Sequence, residues 1–313
     1  MAGVNAYGLA FAGTCVLILA VGLGANLLVF SLLARQRSLR KNRLDALLLS
    51  TSLADFLALL LVPFTVHSAV SHSWPLGDLS CKVYQFLSAF SLGASAYSLC
   101  AVSAARATMV TDPYRPPAAD LLVLMSAPAW ALSFVISLPL RMFATKESPS
   151  PSPSPSPSPN AVTFCLPAVQ EHHYQVVLSQ FVLFYLIPML VIAFNYVRLA
   201  LFLQKSPVMS SSGARNTRRA SAMVFLASAT FSACWLPGYV LELCVYLDLY
   251  RHGRAWELFY FTCTVLQYLH PCVNPVLYVL LSKRYRRRRA ARLFARRRNR
   301  VGPQVLSVSA DSL

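Results

Sequence analysis

The sequence is poor in charge. Only 12% of its 313 residues are Asp, Glu, Lys or Arg, about half the share usual in a soluble domain. Acids are the scarcer sign: 11 Asp and Glu stand against 28 Lys and Arg, for a formal net charge of +17. No Cys-x-x-Cys pair and no His/Cys spacing of the zinc-binding kind occurs, so no metal site is expected. No nucleophile–base pair stands out, so an enzyme is not expected either. The chain has no Asn-x-Ser/Thr sequon. Nothing before the first apolar run has the basic region and cleavage site of a signal peptide, so the first helix is expected to serve as its own insertion signal.

What is abundant is apolar residue, 56% of the chain, gathered into seven long runs at 8–34, 44–66, 82–110, 120–140, 175–203, 220–247 and 256–281. A bilayer core asks for about 20 such residues per crossing. Backbone in lipid must satisfy its own hydrogen bonds, so each run predicts a helix, the internal prolines notwithstanding. The fold class expected is an all-α, seven-helix membrane bundle.

The basic residues orient it. With the N-terminus outside, the inside segments 35–43, 106–119, 198–219 and 282–313 carry 23 of the 28 Lys and Arg. That asymmetry places the C-terminus in the cytoplasm. It also turns a basic chain away from nucleic acid and toward anionic inner-leaflet lipid, at roughly 1 kcal/mol per basic side chain. Of eight cysteines, Cys81 and Cys165 fall on the oxidising outer side, where a disulfide is expected; the other six lie in or beside apolar helices.

Motifs decide among the seven-helix classes. In order they are Gly22-x-x-x-Asn26, Ser52-Leu53-Ala54-Asp55, Trp74-Pro75-Leu76-Gly77 before Cys81, Arg106 with Asp112-Pro113, and Trp130. Then come Pro188 with Tyr196, Phe231-x-x-Cys234-Trp235-Leu236-Pro237, and Asn274-Pro275-Val276-Leu277-Tyr278. In this order and spacing, over about residues 8–295, the chain resembles the rhodopsin-like (class A) G-protein-coupled receptors, and within them the galanin-receptor-like peptide branch and an orphan receptor related to it. The resemblance implies a multi-pass plasma-membrane receptor that passes an outside signal to a heterotrimeric G protein, with arrestin as a further partner. It also implies the Cys81–Cys165 bond. A transporter, the reading from another class, would show paired charges or repeated broken helices; Asp55 stands alone in mid-membrane, and no internal repeat is found.

The resemblance assigns roles residue by residue. Asn26, Asp55, Ser95 and Asn274 form a polar cluster that holds sodium in the family, and an intramembrane acid is a functional candidate in its own right. His270-Pro271 stands where an Asn-Ser pair is common, which leaves open a second reading: a protonated Asp55 bonded to Asn26 and Asn274 with no ion. Apart from such an ion, no cofactor is expected. Trp235 above Pro237 is the expected floor of the ligand pocket. Arg106, Tyr196, Pro237, Pro275 and Tyr278 are the expected activation and G-protein residues. Ala105 and Ala107 flank Arg106 where the family has an acid and an aromatic. Raised basal signalling is the expectation, and poor coupling the rival.

An amine receptor of this family carries an acid where this chain has Ser88. The expected pocket is polar and aromatic instead: Gln85, Ser88, Gln180, Trp235, Tyr239, Glu242, Gln267 and Tyr268, with His67 beside them. Such a lining suits a peptide, a lipid being the rival ligand. Val162–Leu166 alternates as a hairpin strand does. Residues 1–7 are expected as a short outer N-terminus, 8–281 as the seven-helix domain, and 282–300 as a basic amphipathic eighth helix on the inner leaflet. Residues 301–313 are expected as a cytoplasmic tail. Six Ser-Pro pairs over 148–159 predict an extended, disordered insert in the second outer loop.

Overall fold

The structure is a computed structural model that describes residues 6–34, 43–71, 73–112, 119–142, 145–147, 164–166, 173–205, 211–247, 249 and 253–281. The expected outer N-terminus apart from its last two residues, the Ser-Pro insert, the eighth helix and the tail lie outside the described residues. Among the described residues, nine α-helices make up seven crossings: α1 (Ala6–Ala34), α2 (Arg43–Leu60) with α3 (Val62–Ser71), α4 (Asp78–Thr111), α5 (Ala119–Met142), α6 (His173–Gln180) with α7 (Ile187–Lys205), α8 (Ser211–Tyr246) and α9 (Arg254–Leu281). A π-helical turn, Phe181–Leu186, joins α6 to α7. Each crossing overlaps one apolar run of the sequence. The largest departure is α8, which begins nine residues before its run.

Among the described residues, five stretches are long and apolar enough to cross a membrane by composition alone. The fifth helix contributes an apolar stretch over Ser126–Pro139. In α9, Gln267, His270 and Asn274 dilute the apolar content, and the three are turned inward rather than fully exposed. Large apolar side chains on the outside, such as Leu17, Leu190, Phe194 and Leu258, are well exposed. In water that belt would be an aggregation patch; in a bilayer it is the lipid-facing surface.

The central rod is α4, in contact with α2, α5, α7 and α8. Its buried side chains are mostly small: Ser91, Gly93, Ala94, Ser95, Ala96 and Ser98 occupy its middle. Lipid gives helices no hydrophobic reason to associate, so close van der Waals approach over small residues holds them instead. At Gly93 an added Cβ would lie 2.6 Å from a ring carbon of Phe184 and 3.0 Å from Ser133 Oγ.

Prolines free carbonyls, and side chains of other helices recapture them. In the π turn the Ile187 N–H bonds the Val182 carbonyl five residues back. Pro188 has no N–H for the Leu183 carbonyl, and the Tyr97 hydroxyl of α4 donates to it at 2.7 Å. In α9, Pro275 leaves the Pro271 carbonyl without its helical donor, and Asn26 Nδ2 of α1 donates to it at 3.0 Å. Pro63 likewise coincides with the break at Leu61 between α2 and α3.

On the outer side, Gly77 at φ 89° turns the chain into α4, a backbone region that favours glycine. Trp74 donates its indole N–H to the Gly77 carbonyl at 3.1 Å. Strands β1 (Thr145–Glu147) and β2 (Phe164–Leu166) pair antiparallel, Lys146 opposite Cys165. The sequence predicted the second strand but not its partner. Cys165 is bonded to Cys81, Cα to Cα 5.5 Å, which ties the hairpin to the head of α4.

Two tests follow from this packing. Gly93→Ala is expected to destabilise the bundle by about 1–3 kcal/mol through overpacking, whereas Gly13→Ala, with nothing within 4 Å of the new Cβ, is expected to be neutral or better; thermal unfolding in nanodiscs measures both. Removing the disulfide by Cys81→Ala or Cys165→Ala is expected to cost about 2–4 kcal/mol and to lower surface expression equally. The double variant should be no worse than either single one.

Candidate functional site

A cavity of about 240 Å³ opens between the outer halves of the helices. All eight side chains expected at a ligand pocket line it: Gln85, Ser88, Gln180, Trp235, Tyr239, Glu242, Gln267 and Tyr268. His67 does not. Residues that the sequence reading did not place in the pocket line it too, among them Tyr84, Val177, Gly238 and His270.

Helical spacing explains the convergence. Gln85 and Ser88 lie one turn apart on α4, as do Trp235, Tyr239 and Glu242 on α8 and Gln267 and His270 on α9. Further bonds fix their positions. Gln85 Nε2 donates to the Cys165 carbonyl at 3.3 Å, joining the pocket wall to the outer hairpin. Thr65 Oγ1 shares a hydrogen bond with the Tyr84 hydroxyl at 2.7 Å and another with the Tyr268 hydroxyl, clasping α3, α4 and α9. Gln267 lies so close over α8 that a Cβ on Gly238 would meet its Nε2 at 2.2 Å. The Pro237-Gly238 step is the one local signal for that approach; the Thr65 clasp is tertiary and has none.

At the floor Trp235 is half-buried, its ring tilted on that of Phe231 with centroids 6.2 Å apart. Phe231 stands edge-on to His270, centroids 5.1 Å apart. His270 Nδ1 lies 4.0 Å from Asp55 Oδ1. Asp55 is buried and accepts from Ser95 Oγ at 3.0 Å and from Asn274 Nδ2 at 2.8 Å. Asn26, expected among its partners, instead donates to the carbonyls of Gly22 and Pro271. The freed carbonyl beside Pro275 claims it. The same cavity therefore reaches from Glu242 near the mouth to Asp55 in mid-membrane.

Toward the inner side, Tyr196 donates its hydroxyl to the Ser221 carbonyl at 3.1 Å and packs against both the central and the inner apolar cluster. Tyr278 is buried in the inner cluster with Leu47, Val102, Ala105 and Val224. Arg106 lines a small hollow with Ser103, Asn195 and Tyr196, and Asn195 Nδ2 donates to Ser103 Oγ at 3.0 Å. Ala105 is buried in the same inner cluster.

Comparison with known proteins agrees with this arrangement. Residues 25–278 match the family described as 7 transmembrane receptor (rhodopsin family). The chain is 29% identical over 281 residues to galanin receptor type 2 of Homo sapiens, covering 87% of this chain and 69% of that one. It is 27% identical over 280 residues to galanin receptor 2a of Danio rerio, covering 87% and 74%. With somatostatin receptor type 5 of Bos taurus it shares 30% over 278 residues, covering 86% and 72%. The matched span runs from the last ten residues of α1 to Tyr278 in α9, and the chain belongs to the rhodopsin family of seven-transmembrane receptors.

Proposed function

We propose that this plasma-membrane receptor binds an extracellular peptide carrying a basic residue and passes the signal to a heterotrimeric G protein. The observation that carries the reading is the placement of Glu242 in the outer cavity. The acids that line the cavity are Glu242 and Asp55. Asp55 lies buried in mid-membrane, and the amine-receptor position is Ser88. Glu242 is then the carboxylate placed to meet a ligand cation, amid the amide and phenol groups of Gln85, Gln180, Gln267, Tyr239 and Tyr268. Such groups suit backbone amides. The names of the galanin and somatostatin receptors support a peptide over other ligands.

Orientation follows from the basic segments, with the N-terminus outside and the C-terminus inside. Ligand pressure on Trp235 reaches Phe231, and from there both the Asp55 cluster and the packed column through Leu99, Tyr196 and Tyr278 to Arg106. Residues 282–300 serve anionic lipid, and arrestin shares the inner face with the G protein. No step runs through a bound ion. The neighbouring imidazole is a nitrogen ligand, which suits transition metals better than hard cations.

A second reading, an atypical receptor with constitutive or weak coupling or with a lipid ligand, has one observation in its favour. Ala105 is buried in the inner apolar cluster, so no acid stands beside Arg106 at that place. Basal nucleotide exchange on G protein, normalised to surface expression, separates constitutive from weak coupling.

The test of the first reading is G-protein activation in cells against a peptide panel that includes galanin-like peptides, with arrestin recruitment in parallel. For an agonist with a basic residue, Glu242→Gln is expected to weaken binding by about 1.5–3 kcal/mol, roughly 10- to 150-fold. Unchanged affinity would remove Glu242 as the anchor.

A further inference from the structure

A second hollow, about 190 Å³, lies on the lipid side of the bundle between α6 and α8. Its walls are apolar side chains one helical turn apart: Val177, Leu178 and Phe181 face Leu236, Val240 and Leu243. Leu178, Leu236, Val240 and Leu243 are each more than two-fifths exposed, so the hollow opens to the bilayer rather than to the bundle. At its outer end Tyr174 of α6 and Tyr246 of α8 stack, centroids 3.9 Å apart and planes within 17°. One turn below Tyr246 comes Glu242, the sole charged residue among those that line the hollow. From Tyr246 to Leu236 the groove runs about 15 Å along α8, about half the hydrocarbon thickness and so the depth of one leaflet.

A carboxylate set among tyrosines at the outer interface, above an apolar slot one leaflet deep, is a recognition pattern for one chemistry. Aromatic faces and an acid together take ammonium groups. The acid repels carboxylate and phosphate heads. A slot between two helices accommodates one alkyl chain.

We propose that this groove binds a single-chain amphiphile with an ammonium headgroup from the outer leaflet. The alkyl chain lies against Leu178, Phe181, Val240 and Leu243, and the head sits between Glu242 and the Tyr174–Tyr246 stack. The site is separate from the peptide reading and does not depend on it. The two meet at one wall, because Val177, Tyr239 and Glu242 line both this groove and the central cavity. An occupied groove therefore engages a carboxylate that also faces the central ligand.

The test is photolabelling of the full-length receptor in phosphatidylcholine nanodiscs with hexadecylamine carrying a mid-chain diazirine. A fatty acid of the same chain, carrying the same diazirine, is the comparison, and adducts are mapped by mass spectrometry. The amine is expected to label segments 174–181 and 236–246 in preference to the exposed face of α1. Glu242→Gln is expected to lower that labelling about ten-fold, the loss of one charge-assisted contact. Val240→Trp, which fills the slot, should abolish it, while Leu190→Trp on the lipid face of α7 leaves it unchanged. Equal labelling by the fatty acid, labelling spread along α1, or indifference to Val240→Trp would overturn the proposal. Should Glu242→Gln not fold, the amine-to-acid ratio on the native chain and the Val240→Trp result decide it. No peptide enters the assay, so its outcome is independent of the central cavity's ligand.

Discussion

Water is missing from the hydrocarbon layer, and a carbonyl without a donor there costs several kcal/mol. A helix with no proline meets that demand by itself. This chain puts Pro188 and Pro275 inside its crossings, and each removes a donor at a known place. The repairs come from other helices: the Tyr97 hydroxyl of α4 on Leu183, and the Asn26 amide of α1 on Pro271. These bonds join distant parts of the chain at mid-membrane, where small side chains already let the rods approach closely. Beside that close packing, the bundle is joined by contacts that its own interruptions create.

The same interruptions shape the outer cavity. The break at Leu61 starts α3, and Thr65 one turn later joins Tyr84 and Tyr268. The π turn before Pro188 belongs to the crossing that carries Gln180. In α8, Pro237-Gly238 brings Gln267 against the helix backbone. Asp55 sits beneath as a buried acid satisfied by Ser95 and Asn274 and backed by His270. A ligand at the mouth and the polar hub in mid-membrane therefore share one lining, with Trp235 and Phe231 between them.

Much of this was legible in the sequence, for a physical reason in each case. Apolar runs marked the crossings because lipid demands them. The resemblance placed Gln85 with Ser88 and Trp235 with Tyr239 and Glu242 on one lining, and helical spacing is compatible with it, although what binds there is not written in the spacing. The outer cysteines announced their bond through the compartment they face. The misses are tertiary. Thr145–Glu147 is three residues with no alternation, and its partner Phe164–Leu166 lies far along the chain. Nothing local tells Asn26 to leave Asp55 for a carbonyl 245 residues away. The π turn is invisible to any pattern of period 3.6.

The account rests on the idea that a proline-freed carbonyl is what Asn26 serves. A double-mutant cycle of Asn26→Ala and Pro275→Ala, read as unfolding free energy in nanodiscs, addresses it directly. Alanine at 275 returns an N–H to the Pro271 carbonyl, so the loss of Asn26 should then matter less. The expected coupling is about 1–2 kcal/mol, with Asn26→Ala costly in the native chain and nearly neutral beside Pro275→Ala. Strict additivity of the two substitutions would contradict it.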